Sequence, residues 1–208
     1  MTSSCQHRWP VLTHYEGASL AEIAFPLGGI GTGTISLGGR ADLRDFELAN
    51  RAAKGFTPPY TFFALRAEPE GSPAMTRVLE GMLCPPYAGS FGVRTAAAGL
   101  PRMRQVALDA AYPFARFTLS DPALPLEIAL EAFNPLIPLD IERSSLPIAV
   151  LRYVLTNPSD RPVRAALAGS LFNYIGARAA CCGTGPTTAP GGLGNLPGGA
   201  INDVRGGN

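Results

Sequence analysis

Charge is scarce in this sequence. Asp, Glu, Lys and Arg make up 16% of its 208 residues, against about 25% in an ordinary soluble domain. The 17 basic and 16 acidic side chains leave a net charge of +1 and form no block of one sign, so the electrostatic footprint that a phosphate backbone requires is missing and no nucleic-acid partner is expected. Long apolar runs are missing too. Nowhere do about 18 uninterrupted apolar residues occur, and the opening MTSSCQHRWPVLTHYEG lacks the apolar stretch that directs export. The expectation is a chain with no transmembrane segment and a cytoplasmic setting. Cysteine is limited to Cys5, Cys84, Cys181 and Cys182, and the adjacent last pair has neither the CxxC spacing of a zinc knuckle nor the look of a disulfide framework. His7 and His14 sit in a polar segment without an HExxH pattern, so no metal site and no cofactor are expected.

Apolar residues, glycine and proline are plentiful: 46% of the chain is apolar, and 24 Gly with 20 Pro occupy more than one position in five. A core is available, and turns are many. From about residue 60 to residue 176 apolar side chains alternate with polar ones in short runs closed by Pro, Gly, Asn or Asp, the signature of half-buried antiparallel strands. In LEIALEAF, Leu126, Ile128 and Leu130 fall on one face and Glu127 and Glu131 on the other. YTFFALRAEPEG and PFARFTLSDPALP each read as a strand ending in a proline-bearing turn. The turn sequence Asn157-Pro158-Ser159-Asp160 predicts a hairpin between Ala149–Asn157 and Val163–Tyr174. Helical periodicity competes only at DLRDFELANRAAKG, Asp42 to Gly55, where the pattern is equally compatible with a strand. After Gly176 the composition turns glycine-rich and too poor in apolar side chains to pack. These features predict an all-β fold, an antiparallel β-sandwich that is incomplete, followed by an irregular Gly-rich tail. The expected divisions are residues 1–24 as an N-terminal segment, 25–176 as the sandwich and 177–208 as a Gly/Pro-rich loop.

Several constellations could carry chemistry. FPLGGIGTGTISLGGR, Phe25 to Arg40, has enough glycine to cradle an anion on backbone N–H groups. It fails both specific spacings: Thr34 and Ser36 stand where a dinucleotide fingerprint needs its third Gly, and Thr34 stands where a P-loop needs Lys. A glycine-rich strand-turn-strand is therefore expected. Glu127 and Glu131 share a face but stand about 13 Å apart along a strand, too far for a paired-carboxylate mechanism. Asp45 and Glu47 would lie about 6–7 Å apart in an extended segment, which an inverting glycosidase could use, yet Arg40, Arg44 and Arg51 are near in sequence and an ion-pair cluster is the competing expectation. Ser90, Ser144 and Ser145 have no local base and no G-x-S-x-G elbow. Cys181-Cys182, with Arg178 the nearest cation, reads as part of a bland loop. Trp9, Tyr15, Phe46, Tyr60, Tyr87 and Tyr112 could supply sugar-stacking rings or simply fill core and rim.

FPLGGIGTGTISLGGRADLRDFELANRAAKG, TFFALRAE, PPYAGSFGVRT, AYPFARFTL and EAFNPLIPLDIERSSLPIAVLRYVLTNPSDRPV, in that order, resemble the N-terminal region of glycoside hydrolase family 116, the non-lysosomal glucosylceramidases (bile-acid β-glucosidases) and microbial β-glucosidases. The resemblance runs from about Phe25 to Gly176. It implies a retaining β-glucosidase in which an N-terminal β-sandwich packs on a C-terminal (α/α)6 barrel, acting on a glucoside or glucosylceramide. It further implies that the glutamate nucleophile and aspartate acid/base lie in the barrel, so this chain would hold no catalytic residue and be inactive alone. It favours extended or irregular structure over a helix at Asp42 to Lys54, and it implies a family sandwich with more strands than this chain supplies. A free-standing carbohydrate-binding or interaction module is the alternative reading of a β-sandwich.

Overall fold

The computed structural model describes residues 12–48, 52–83, 98–172 and 202–205. Alternation in the sequence becomes two facing sheets. The strands are β1 (Thr13–Glu16), β2 (Ala24–Leu27), β3 (Thr34–Gly38), β4 (Leu43–Glu47), β5 (Phe62–Pro69), β6 (Met75–Gly81), β7 (Arg102–Met103), β8 (Gln105–Ala111), β9 (Phe114–Ser120), β10 (Glu127–Phe133), β11 (Val150–Thr156), β12 (Val163–Leu171) and β13 (Asn202–Arg205). A 3-10 turn at Gly17–Glu22 and a one-turn helix, α1 (Ile141–Ser144), complete the described elements. One sheet runs β1-β8-β9-β10-β11, the other β13-β12-β5-β6-β7, and a third, β2-β3-β4, is smaller. Every pairing is antiparallel except the short β6–β7 contact.

The inward positions of β10 are Ile128, Leu130 and Ala132, each at most 2% exposed. Across it, Glu131 faces outward between its register partners Arg116 and Arg152, 3.6 and 3.3 Å away. Such exposed pairs contribute little to stability; the burial does more, at ~25 cal/mol per Å² of apolar surface removed from water. Phe117, Leu119 and Leu108 from the first sheet meet Leu65, Ala67, Leu79 and Met103 from the second, while Phe25, Leu27 and Leu37 of the small sheet join the same core.

One sequence expectation needs correction. The segment Ala149–Asn157 and the segment beginning at Val163 are strands, but they do not form a hairpin: β11 pairs with β10, and β12 pairs with β5 and β13. The connection carries two prolines, and it crosses from one sheet to the other, where Pro162 accepts from the N–H of Glu70 at the end of β5. Hairpin turns curl a strand back on its neighbour, whereas this one spans the ~10 Å between packed sheets. Within the Gly-rich tail Asn202–Arg205 is a short strand on β12. The described residues of Asp42 to Gly55 are not helical; the segment opens with β4 and turns at Gly55. Among the described residues strand content begins at Thr13, where β1 adds to β8. His14 there hydrogen-bonds Asp109 at 2.8 Å, which raises its pKa. His7 lies outside the described residues, as do Cys5, Cys84, Cys181 and Cys182.

Among the described residues β11 is paired on one side only, and Leu167 and Leu171 of β12, in the other sheet, are 40% and 46% exposed. Elsewhere backbone packs on backbone: a Cβ at Gly39 would stand 2.1 Å from the carbonyl oxygen of Leu20. Gly39→Ala is therefore expected to cost on the order of 3 kcal/mol in urea denaturation. Gly71→Ala, in open space at φ +73°, should cost only about 1–2 kcal/mol. Equal losses in the two variants would refute the close approach.

Candidate functional site

The glycine-rich segment forms the strand-turn-strand that its failed nucleotide spacings predict. Pro26 is tolerated because β2 is an edge strand of the small sheet. The turn between β2 and β3 places Gly28, Gly31 and Gly33 at φ of +131°, +74° and +92°, a region that side chains with a Cβ disfavour. Asn134, 5% exposed just beyond β10, fixes this turn: its Oδ1 accepts from Gly28 N–H and its Nδ2 donates to Pro26 C=O, both at 2.7 Å. Ile30 N–H donates to Ser144 C=O at 2.9 Å, and a Cβ at Gly29 would fall 2.2 Å from the carbonyl oxygen of Leu146. Ser144 is itself 2% exposed, and its hydroxyl accepts from Ile137 N–H and donates to Ile137 C=O. It is a structural serine, and Ser145 Oγ donates to Glu142 C=O.

Beside the turn lies a cavity of about 300 Å³ lined by residues 26–31, by Gly33 and Thr34, and by Tyr112 and Asn134. Among the described residues its lining includes no carboxylate, imidazole or thiol, the groups that most often serve acid/base catalysis.

The carboxylates weighed from sequence are placed elsewhere. Asp45, 2% exposed at φ +52°, accepts from Gly55 N–H at 2.6 Å and faces Arg44 at 3.6 Å. Glu47 pairs with Lys54 at 2.9 Å and accepts from Ala53 N–H; that lysine holds its carboxyl below the usual range. Both side chains thus fold residues 53–55 back onto β4. Glu127 is exposed and Glu131 is in its arginine ladder. Of the aromatic residues weighed, Phe46 is buried, Tyr15 packs against the core, and Tyr112 is 57% exposed; Trp9 and Tyr87 lie outside the described residues, as do Ser90, Arg51 and Arg178.

Sequence reasoning missed one cluster. Glu80, 7% exposed, lies 3.4 Å from the Arg102 guanidinium, and Arg40 reaches Asp42 at 3.0 Å while also donating to Gly81 C=O. Burial, then the Asp42 charge, pushes the Glu80 carboxyl up to about 7 against the pull of Arg40 and Arg102. Burial and the Glu80 charge together raise the Tyr153 phenol of β11. The single available signal was Glu80 standing among apolar residues in VLEGML. Two carboxyl groups are close here, but guanidinium groups occupy them and neither lines the cavity. Among the described residues no group of three or more His, Cys, Asp or Glu could hold a metal ion, and no helix is long and apolar enough to cross a membrane.

Two measurements probe these assignments. Asn134→Ala leaves the Gly28 N–H and Pro26 C=O without their partner and should cost about 2–4 kcal/mol in urea denaturation; a loss below ~0.5 kcal/mol would dismiss the clamp. Glu80 binds its proton more tightly folded than unfolded, so its contribution is full below about pH 4.5 and is lost as pH rises to about 7. The loss is on the order of 3 kcal/mol. Glu80→Gln should flatten that fall in denaturation curves taken from pH 4.5 to pH 8, and an unchanged slope would contradict it.

A search of curated proteins finds no significant match. The family profile described as beta-glucosidase 2, glycosyl-hydrolase family 116 N-term, matches residues 24–196. Most of the chain is covered, from β2 through the core strands, and the chain belongs to glycoside hydrolase family 116 as an N-terminal portion.

Proposed function

We propose that this chain is the sandwich that braces the catalytic domain of a retaining β-glucosidase or glucosylceramidase, and that it performs no hydrolysis by itself. The observation that carries this reading is the family match over residues 24–196, joined to a cavity whose lining has no acid/base pair. The partner is an (α/α)6 barrel holding both working carboxylates, and the substrate is a glucoside or glucosylceramide bound by the joined enzyme. A free-standing module is the weaker reading, because β11, paired on one side only among the described residues, is the kind of edge that independent sandwiches cover or charge.

The contact with the barrel is the end of the sandwich around the glycine turn. Ile30, Ile137, Leu139, Ile141, Leu146 and Ile148 are all exposed there, on segments joined to one another by the Ile30–Ser144 and Ile148–Leu146 backbone bonds. Contiguous apolar surface of this sort marks an interface.

Assay of an aryl β-glucoside should find turnover when the chain is joined to its catalytic domain and none with the 208 residues alone. Turnover by the short chain would overturn the reading. Leu139→Asp with Ile141→Asp should leave the short chain's stability within about 0.5 kcal/mol, since both side chains are exposed, yet lower the Tm and activity of the joined enzyme. An unaffected joined enzyme would remove this end of the sandwich as the contact.

A further inference from the structure

We infer that the cavity between the glycine turn and Tyr112 binds a neutral pyranoside ring; the choice of a glucoside among such rings rests on the function proposed above. The volume, about 300 Å³, is at the small end of the range for small-molecule sites, which suits a single sugar ring rather than a nucleotide or a lipid tail. Among the described residues the only titratable group in the lining is the Tyr112 phenol, and none of them offers a counter-charge to an anion or a cation. Charged ligands would lose hydration there without replacement.

The chemistry that remains is that of a sugar. A pyranose has one face of C–H groups and a rim of hydroxyls. Tyr112 presents an exposed ring that is braced from behind by Phe25, with centroids 6.1 Å apart and planes at 42°. A tyrosine so held supplies flat apolar area at low conformational-entropy cost, with a polar tip. Opposite it, the rim hydroxyls meet the Thr34 side chain and the backbone of a turn whose glycines leave its peptide groups within reach. Asn134 adds to this. A primary amide has two donor hydrogens and two acceptor lone pairs, and the bonds to Gly28 and Pro26 use one of each. The rest of this 95%-buried side chain belongs to the cavity wall.

The wall is formed in advance. Gly28, Ile30 and Thr32 N–H groups are each tied, to Asn134, Ser144 and Gly29 respectively, and a preformed site avoids the cost of ordering a loop on binding. In the joined enzyme the cavity opens beside the apolar end assigned to the barrel, which places a sugar-contacting wall at the boundary between the two domains.

The test is ligand-observed saturation-transfer NMR and titration of the 208-residue chain with methyl β-D-glucopyranoside, with glucose 6-phosphate as the charged comparison. The expected result is saturation reaching the ring C–H protons, tighter binding of the neutral glucoside than of the phosphate, and at least tenfold weaker binding in Tyr112→Ala, with Tyr112→Phe retaining most of it. Because Tyr112 is exposed, the alanine variant should fold, which the same sample's thermal unfolding verifies. Absence of transfer at tens of millimolar glucoside, or equal affinity in Tyr112→Ala, would overturn the inference. Neither result would touch the hydrolase reading, which stands or falls on turnover by the joined enzyme.

Discussion

One amide side chain ties the pieces of this molecule together. Asn134 sits where the first sheet ends, and through two 2.7 Å hydrogen bonds it holds the turn of the small third sheet, while its own N–H donates to Pro113 C=O between β8 and β9. Leucine could fill the space but could not satisfy a donor and an acceptor at once, and burying either unpaired would be costly. The placement of Gly28, the close approach of Gly29 to residues 145–146 and the position of the Tyr112 ring all follow from that junction.

Electrostatics divides the carboxylates into those that shape loops and those that are buried beneath them. Asp45 and Glu47 organise residues 53–55 through backbone N–H groups and Lys54. Glu80 and Asp42 are drawn inside the body and matched by two arginines. A buried ion pair is weak evidence for stability, because desolvation offsets the attraction; its worth is in specifying geometry, here the joint between β6 and the turn from β3 to β4.

Much of this architecture was legible in the residues. Period-two alternation fixed which faces of β9 and β10 turn inward, since a one-residue slip would expose Ile128 and Leu130. The failed glycine spacings correctly pointed to a strand-turn-strand. Pairing was less legible. Asn157-Pro158-Ser159-Asp160 signals a reversal, but local sequence does not say whether the strand that follows returns to its own sheet or crosses to the facing one; that depends on β5, a hundred residues earlier, offering an edge. The cavity was out of reach for the same reason, because Tyr112 and Asn134 are far from residues 26–34 in sequence and meet them only through the fold. Glu80 was hidden by its neighbours, as a lone acid in an apolar strand reads as a surface position until burial is measured.

The pairing of β5 with β12 sets Leu65 against Leu167. A ribosome adding ~5–20 residues per second needs roughly 5–20 s to make the polypeptide between them. Throughout that interval the flank of β5 that will receive β12 has no intended partner. Non-local pairing of this kind slows folding, so the yield of native protein depends on what shields that nascent edge during synthesis.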